Sequence, residues 1–304
     1  MDSRMDGSRE LRGSMTALVT PFRNGEVDWE CLDRLVDRQM AGGTDWLVPC
    51  GTTGEAPTLT EHEYERVAES VIARSAGRHP VMIGTGSNST AEAVRRTKFA
   101  ASIGAGAALI VTPYYNRPTQ EGLFRHYAAI AEAVELPLVL YNVPLRTGVN
   151  LGVETVARLR RSFPHVGGVK HATGSVDGVT ELLEKCDVVV LCGDDPLTWP
   201  MMCLGAKGVI SVVGNLEPEW MHTLVESARD RDFTAALRHH RQIHALAAGL
   251  GAFGPNPVPI KTAMSLRGLI HEEFRLPLCP LDEPARQGIE RLIGDTLRIE
   301  AVAA

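Results

Sequence analysis

Val166-Gly167-Gly168-Val169-Lys170-His171-Ala172-Thr173-Gly174 reads as a buried strand that ends in a cation and turns into a helix. The valines favour extended structure, and the Thr-Gly pair that follows favours a turn. Lysine is rarely buried without a partner, because desolvating an ammonium is costly. The same desolvation lowers its pKa and leaves neutral amine, the form that attacks carbonyl carbon. Lys170 therefore points to Schiff-base chemistry. The competing reading is a strand-end lysine whose ammonium reaches solvent along its own alkyl stem.

The pattern around Lys170 recurs along the chain. Apolar runs rich in Val, Ile and Leu fall at residues 15–19, 46–48, 81–84, 108–111, 138–141, 188–191 and 208–212. Amphipathic segments lie between most of them, at residues 27–40, 90–103, 119–134, 153–163 and 174–185, with a short one at 198–204. Another opens at Thr60, with Glu63 three residues on in the position of a capping box. Eight strands alternating with helices predict a (β/α)8 TIM barrel. The rival is a doubly wound open sheet, but Thr20-Pro21-Phe22 follows the first strand where such sheets often carry a Gly-rich phosphate loop. After about Glu217 the strands stop, and residues 233–250, 259–269 and 283–299 read as helices. The expected organisation is a flexible lead-in over residues 1–13, a catalytic barrel over 14–231 and a C-terminal helical domain over 232–304.

Composition narrows the function. Of 304 residues, 44% are hydrophobic and 22% charged, and the net charge is -6. That balance argues against a nucleic-acid partner or an anionic membrane surface. No apolar run is long enough to span a bilayer, and the polar start lacks the apolar centre of a signal peptide. Six cysteines are scattered without a C-x-x-C pair, as in a cytoplasmic protein with reduced thiols.

In a barrel, functional residues sit on the loops after the strands. The unusual residues of this chain collect there: Gly51-Thr52-Thr53-Gly54-Glu55, Thr112-Pro113-Tyr114-Tyr115-Asn116, Tyr141-Asn142-Val143-Pro144 with Arg146, Lys170, and Gly193-Asp194-Asp195. Each has a plainer alternative. The first could be an ordinary turn, or its N–H groups and hydroxyls could hold a carboxylate. Tyr114 and Tyr115 could serve packing at an interface. Tyr141 could be a strand-end aromatic, or a phenol that relays protons beside an amine. Arg146 could be a solvated charge or a fork for a substrate carboxylate. Asp194-Asp195 is a weak metal signal and fits turn or capping chemistry better. His240 and His244 have zinc-compatible spacing but no accompanying ligand nearby in sequence, and a solvated basic face explains them better. No metal is expected.

These motifs resemble those of the pyruvate-dependent class I aldolases, the dihydrodipicolinate synthase and N-acetylneuraminate lyase family. The resemblance runs through Gly51-Thr52-Thr53-Gly54-Glu55, Thr112 to Pro118, Tyr141 to Pro144, Gly168 to Lys170, Ala172 to Gly174, Gly193 to Asp195, Gly208 to Ser211 and Asn256 to Pro259. It covers nearly the whole chain in the family's order. It implies a (β/α)8 barrel with a small C-terminal helical domain, assembled as a homotetramer of tight dimers. It implies no cofactor, the covalent intermediate being a pyruvate imine on Lys170. By the same resemblance Tyr141 shuttles protons, Thr52 links Tyr141 to Tyr115, and Tyr115 reaches into a neighbouring subunit. Thr53 holds the pyruvate carboxylate, Ile210 borders pyruvate through its backbone, and Gly193 belongs to the site.

The loop Tyr141 to Gly148 resembles the synthase branch, in which an arginine at the Arg146 position binds the carboxylate of aspartate semialdehyde. The implied reaction is condensation of pyruvate with that aldehyde, the entry to diaminopimelate and lysine. Leu145 and His171 depart from the synthase pattern, where serine and glutamate are common. Two alternatives remain at this stage: another pyruvate aldolase or keto-deoxy sugar acid dehydratase, and a catalytically silent barrel with a binding or regulatory role. Asn88, Glu92 and Tyr114 match the pattern of a lysine-binding regulatory site. Ala56, Glu61 and Tyr64 stand where lysine-sensitive bacterial members often have serine and two histidines, so weak or absent inhibition by lysine is expected.

Overall fold

Strands whose two faces are both apolar need helices on the outside and side chains on the inside, which a closed parallel barrel supplies. The computed structural model, which describes residues 10–303, has that form. All eight expected strands are present: β1 Gly13–Ala17, β2 Trp46–Val48, β3 Met82–Gly84, β4 Ala107–Val111, β5 Leu138–Asn142, β6 Val166–His171, β7 Val189–Cys192 and β8 Gly208–Ser211. They pair in the order β2-β1-β8-β7-β6-β5-β4-β3, all parallel. A parallel bridge between Leu47 and Val81 joins the two ends and closes the barrel.

The intervening helices are α1 Trp29–Ala41, α2 Glu61–Ser75, α3 Thr90–Ser102, α4 Gln120–Ala131, α5 Val153–Ser162, α6 Asp177–Lys185, α7 Thr198–Cys203 and α8 Pro218–Arg229. Their starts follow from local chemistry. Asp28 accepts from the Cys31 N–H and Thr119 from the Gly122 N–H. Thr60 and Glu63 form the reciprocal capping box, each side chain satisfying the other's backbone N–H. A short hairpin of Phe22–Arg23 and Glu26–Val27 and a single helical turn at Pro144–Thr147 were not anticipated.

Side chains of alternating sign along the strands form two layers. Met15, Trp46, Met82, Leu109, Val139, Tyr141 and Leu191 pack inside the barrel. Neighbours such as Leu140, Val169 and Val190 pack outward against the helices. The inside row includes Leu11, which is buried at the barrel's base, where a Cβ on Gly167 or Gly168 would lie 3.4 Å from its Cδ1. The lead-in is therefore shorter than expected. Leu11 and Gly13 belong to the barrel, because the open base has room for a plug; residues 1–9 lie outside the described residues.

Beyond α8 come α9 Phe233–Gly251, α10 Val258–Leu266 and α11 Glu283–Ala303. Ile243, Leu246, Ile260, Met264 and Ile289 share one continuous apolar core with Trp220, Met221 and Leu224 of α8. The helical region thus packs on the barrel without a separate core of its own. Among the described residues no helix is long and apolar enough to cross a membrane.

Candidate active site

The C-terminal ends of the eight strands surround a cavity of about 500 Å³. Lys170 enters it from β6, beside Tyr141 on the paired strand β5. The two stay close because the parallel register places Tyr141 opposite Lys170, and Lys170 opposite Leu191. The ammonium lies 4.3 Å from the centroid of the Tyr141 ring. Lys170 is only 4% exposed. Burial lowers its pKa from 10.5 to about 8, against the attraction of the Asp195 and Asp194 carboxylates. Burial also pushes the Tyr141 phenol up to about 12, so the hydroxyl stays protonated near neutrality.

Gly193 makes room for the lysine. A Cβ there would lie 2.6 Å from the Ala172 Cβ and 3.1 Å from the Lys170 Cε. Asp195 is taken by structure: its Oδ2 accepts from the N–H groups of Val212 and Val213 at 3.0 and 2.8 Å, which fixes the turn after β8. Asp194 faces the cavity, and its Oδ2 accepts from the Gly174 N–H at 3.3 Å. The turn reading of this pair is the one its hydrogen bonds support.

Thr52 and Thr53 line the cavity from the loop after β2. That loop is pinned by the Thr20 hydroxyl, which donates to the Gly54 carbonyl at 2.7 Å. Gly54 has no room for a side chain, since a Cβ would meet the Leu18 carbonyl oxygen at 3.0 Å. Cys50 and Glu55 bracket the loop with φ of 59° and 52°, and Tyr115 and Arg117 in the loop after β4 have φ of 71° and 45°. Left-handed backbone is unfavourable for such residues, and its concentration in two rim loops marks a site held in shape by its surroundings. Arg146 lines the mouth, and its Nη2 donates to the Asn256 carbonyl at 2.8 Å.

Not every expected residue is in the cavity. Tyr115 is 89% exposed and does not line its own chain's cavity. Ile210 is fully buried in the barrel's inner row and does not border the cavity; Val212, past the end of its strand, does. Alternation along β8 sends the Ile210 side chain into that inner row. Tyr114 lines the cavity, whereas Asn88 and Glu92 lie outside it. The Asn88 carbonyl accepts from Asn116 at 2.9 Å, and Glu92 is paired with Arg95 and Arg96 at 3.0 and 2.6 Å. Asn256 is the residue that sequence reasoning did not single out. Its signal was the Asn256-Pro257-Val258-Pro259 motif, which lies 110 positions from the arginine it holds.

A model of the dihydrodipicolinate synthetase family matches residues 10–296. The chain belongs to that family. Among its relatives, the 4-hydroxy-tetrahydrodipicolinate synthase of Pelobacter propionicus is 50% identical over 278 residues, covering 91% of this chain and 95% of that protein. The synthase of Thermomicrobium roseum is 50% identical over 285 residues, covering 93% of each. The solved synthase of Methylacidiphilum fumariolicum SolV superimposes with a TM-score of 0.94 at 41% identity, over 96% of this chain and 98% of that one.

The family's barrel with appended helices is the fold described above. The two departures from the synthase pattern are peripheral to this chain's cavity. Leu145 is 91% exposed, and the His171 ring turns away to meet Thr173 Oγ1 and the Ser175 carbonyl at 2.8 and 2.9 Å. Among the described residues, one group has metal-ligating geometry, Asp45 with His222 and Glu226. It lies at the opposite, N-terminal end of the barrel, where Asp45 accepts from the Ser14 N–H at 2.7 Å.

Proposed function

We infer that the chain condenses pyruvate with L-aspartate 4-semialdehyde to 4-hydroxy-tetrahydrodipicolinate, the entry to diaminopimelate and lysine, through a Schiff base on Lys170. The observation that carries the mechanism is a buried amine with a pKa near 8, beside a protonated phenol in a cavity. The relatives that are half identical over nine-tenths of the chain carry the choice of reaction.

Neutral Lys170 attacks the ketone carbon of pyruvate, and loss of water gives an iminium. The positive nitrogen acidifies the adjacent methyl group, whose proton leaves to give an enamine. The enamine carbon attacks the aldehyde of the second substrate, and the new alkoxide takes a proton. The second substrate's own amino group then displaces Lys170 from the iminium carbon, closing the ring and freeing the amine. Tyr141 is the proton carrier. With a pKa near 12 it is a better donor than base, so it needs a hydroxyl chain to pass the proton on. Thr52 and a neighbouring subunit's copy of the exposed Tyr115 supply that chain. Thr53 and loop N–H groups hold the pyruvate carboxylate, and Arg146 holds that of the aldehyde as a two-pronged donor.

The exposed Tyr115 supports assembly through the face that carries it, and the homotetramer is the form we propose. Six cysteines without a disulfide among the described residues fit a reducing, cytoplasmic setting.

Borohydride reduction in the presence of pyruvate, followed by peptide mass mapping, tests the reading. A pyruvyl adduct on Lys170 in a preparation that turns over aspartate semialdehyde is the expected result. An adduct without that turnover keeps the aldolase chemistry and rejects the aldehyde. No adduct rejects the Schiff base.

A further inference from the structure

Thr52 and Thr53 stand on a loop whose far end, Glu55, is buried outside the cavity. The Glu55 side chain is fully buried, and so is that of Lys261 in α10. Lys261 Nζ donates to Glu55 Oε1 at 2.5 Å, and the Arg275 N–H donates to Oε2 at 3.2 Å. The ammonium also stands 4.4 Å from the Phe22 ring centroid and 5.0 Å from that of Phe274. Arg275 continues the network to Glu63, the capping residue of α2, with contacts at 2.6 and 2.7 Å. The residues of the pair are 206 positions apart.

The opposite side of the site is tied to the same element. Helix α10 begins two residues after Asn256, whose carbonyl holds Arg146. The threonine loop and the arginine are thus both referenced to α10, one through Glu55–Lys261 and one through Asn256.

A buried ion pair is a weak source of stability, since desolvation offsets most of its attraction and an apolar pair of similar volume can serve as well. A charged pair does specify one register between two distant pieces of chain. Glu55 also holds a left-handed backbone conformation that a surface loop would relax.

We propose that Glu55 and Lys261 are positioning residues: their ion pair fixes the β2 loop relative to α10 and so sets the carboxylate cradle against the arginine. Neither lines the cavity. The proposal rests on the Schiff-base reading above and deepens it.

The test uses the full-length protein with Glu55→Gln, which keeps volume and removes one charge, and with Glu55→Gln/Lys261→Met, which removes both. Michaelis constants for both substrates, kcat and Tm are measured. The KM for pyruvate is expected to rise on the order of tenfold or more in both proteins, since misplacement of a binding group by about 1 Å has effects of that size. The KM for the aldehyde rises with it, and kcat falls less. The Tm of the double variant stays near that of the parent, because no charge is left unpaired. If Glu55→Gln alone does not fold, the double variant carries the test. A folded double variant with both KM values unchanged overturns the proposal, whatever its Tm. Wild-type protein that forms no pyruvyl adduct rejects the Schiff-base reading instead, so the two failures are distinguishable.

Discussion

The reactivity of Lys170 follows from its burial, and pH measures it directly. In water a lysine amine with a pKa of 10.5 is neutral in roughly one molecule in 3,000 at pH 7. At a pKa of about 8 the neutral share is roughly one in eleven, a gain of about 300-fold, or about 3 kcal/mol at 1.36 kcal/mol per pKa unit. The rate of imine formation at subsaturating pyruvate should therefore rise tenfold per pH unit up to about pH 7.5 and level off above about 8.5. The assay ages enzyme with pyruvate for varied times, quenches with excess borohydride and counts the adduct by intact mass. Ageing before the quench separates imine formation from its reduction. Lys170→Ala supplies the blank, with no adduct at any pH. A rate that still climbs tenfold per unit beyond pH 9.5 would mean an ordinary lysine amine, and the argument from desolvation would be wrong.

The same burial has a cost in stability, which Lys170→Met should relieve. The folded pKa lies below the unfolded one, so the unfolded state binds more protons between about pH 8 and 10.5 and wild-type stability rises with pH across that window. The variant should exceed wild type by up to about 3 kcal/mol below pH 8, the advantage disappearing by about pH 10.5. Denaturant unfolding at pH 7 and 10.5 checks this, and an equal advantage at both rejects it. Gly193→Ala places a methyl 3.1 Å from the Lys170 Cε, so kcat/KM should fall roughly 10- to 100-fold with a near-native circular dichroism spectrum. Unchanged kinetics would show that the lysine does not pass through that gap. Tyr115→Ala should reduce turnover strongly while leaving the fold of each chain intact by circular dichroism, since the side chain is 89% exposed in the single chain. Dilution followed by sedimentation should lose activity as the oligomer dissociates; a fully active monomer refutes the shared site. Lysine should inhibit weakly or not at all, because Tyr64 is 1% exposed with its hydroxyl given to the Gly84 carbonyl at 3.0 Å, and Glu61 is paired with Arg95 at 2.7 Å. Half-inhibition below a millimolar would contradict that.

The strands were legible because a parallel barrel covers both faces of each, leaving short apolar runs such as residues 138–141. The α2 start was legible because a capping box is local chemistry, four residues long. Lys170 and Tyr141 stood out because polar groups at strand ends conflict with the apolar pattern before them. What escaped depends on long-range contact. Leu11 lies in a polar stretch, and only the open base of the barrel gives it a place. Asn256 and Lys261 act on residues 110 and 206 positions away, and no periodicity carries that information.

The two ends of the barrel divide the work. At the N-terminal end the Asp45 carboxylate accepts from the Ser14 N–H and hydroxyl, and Leu11 fills the base. At the C-terminal end lie the desolvated amine, the left-handed Cys50, Glu55, Tyr115 and Arg117, and the cavity. Each of those features is unfavourable alone, by about 1–3 kcal/mol for strained backbone. They persist because the strand and helix cores beneath are complete and because Glu55–Lys261 and Arg146–Asn256 tie the rim to α10. The helical region is then part of the catalytic frame. It shares the barrel's apolar core, and through Glu55–Lys261 and Arg146–Asn256 it contacts both rim loops that line the cavity. A barrel cut after α8 would expose the apolar face that Ile243, Leu246, Ile260 and Met264 cover, so the frame is separated from the fold only by substitutions such as Glu55→Gln/Lys261→Met in the full chain.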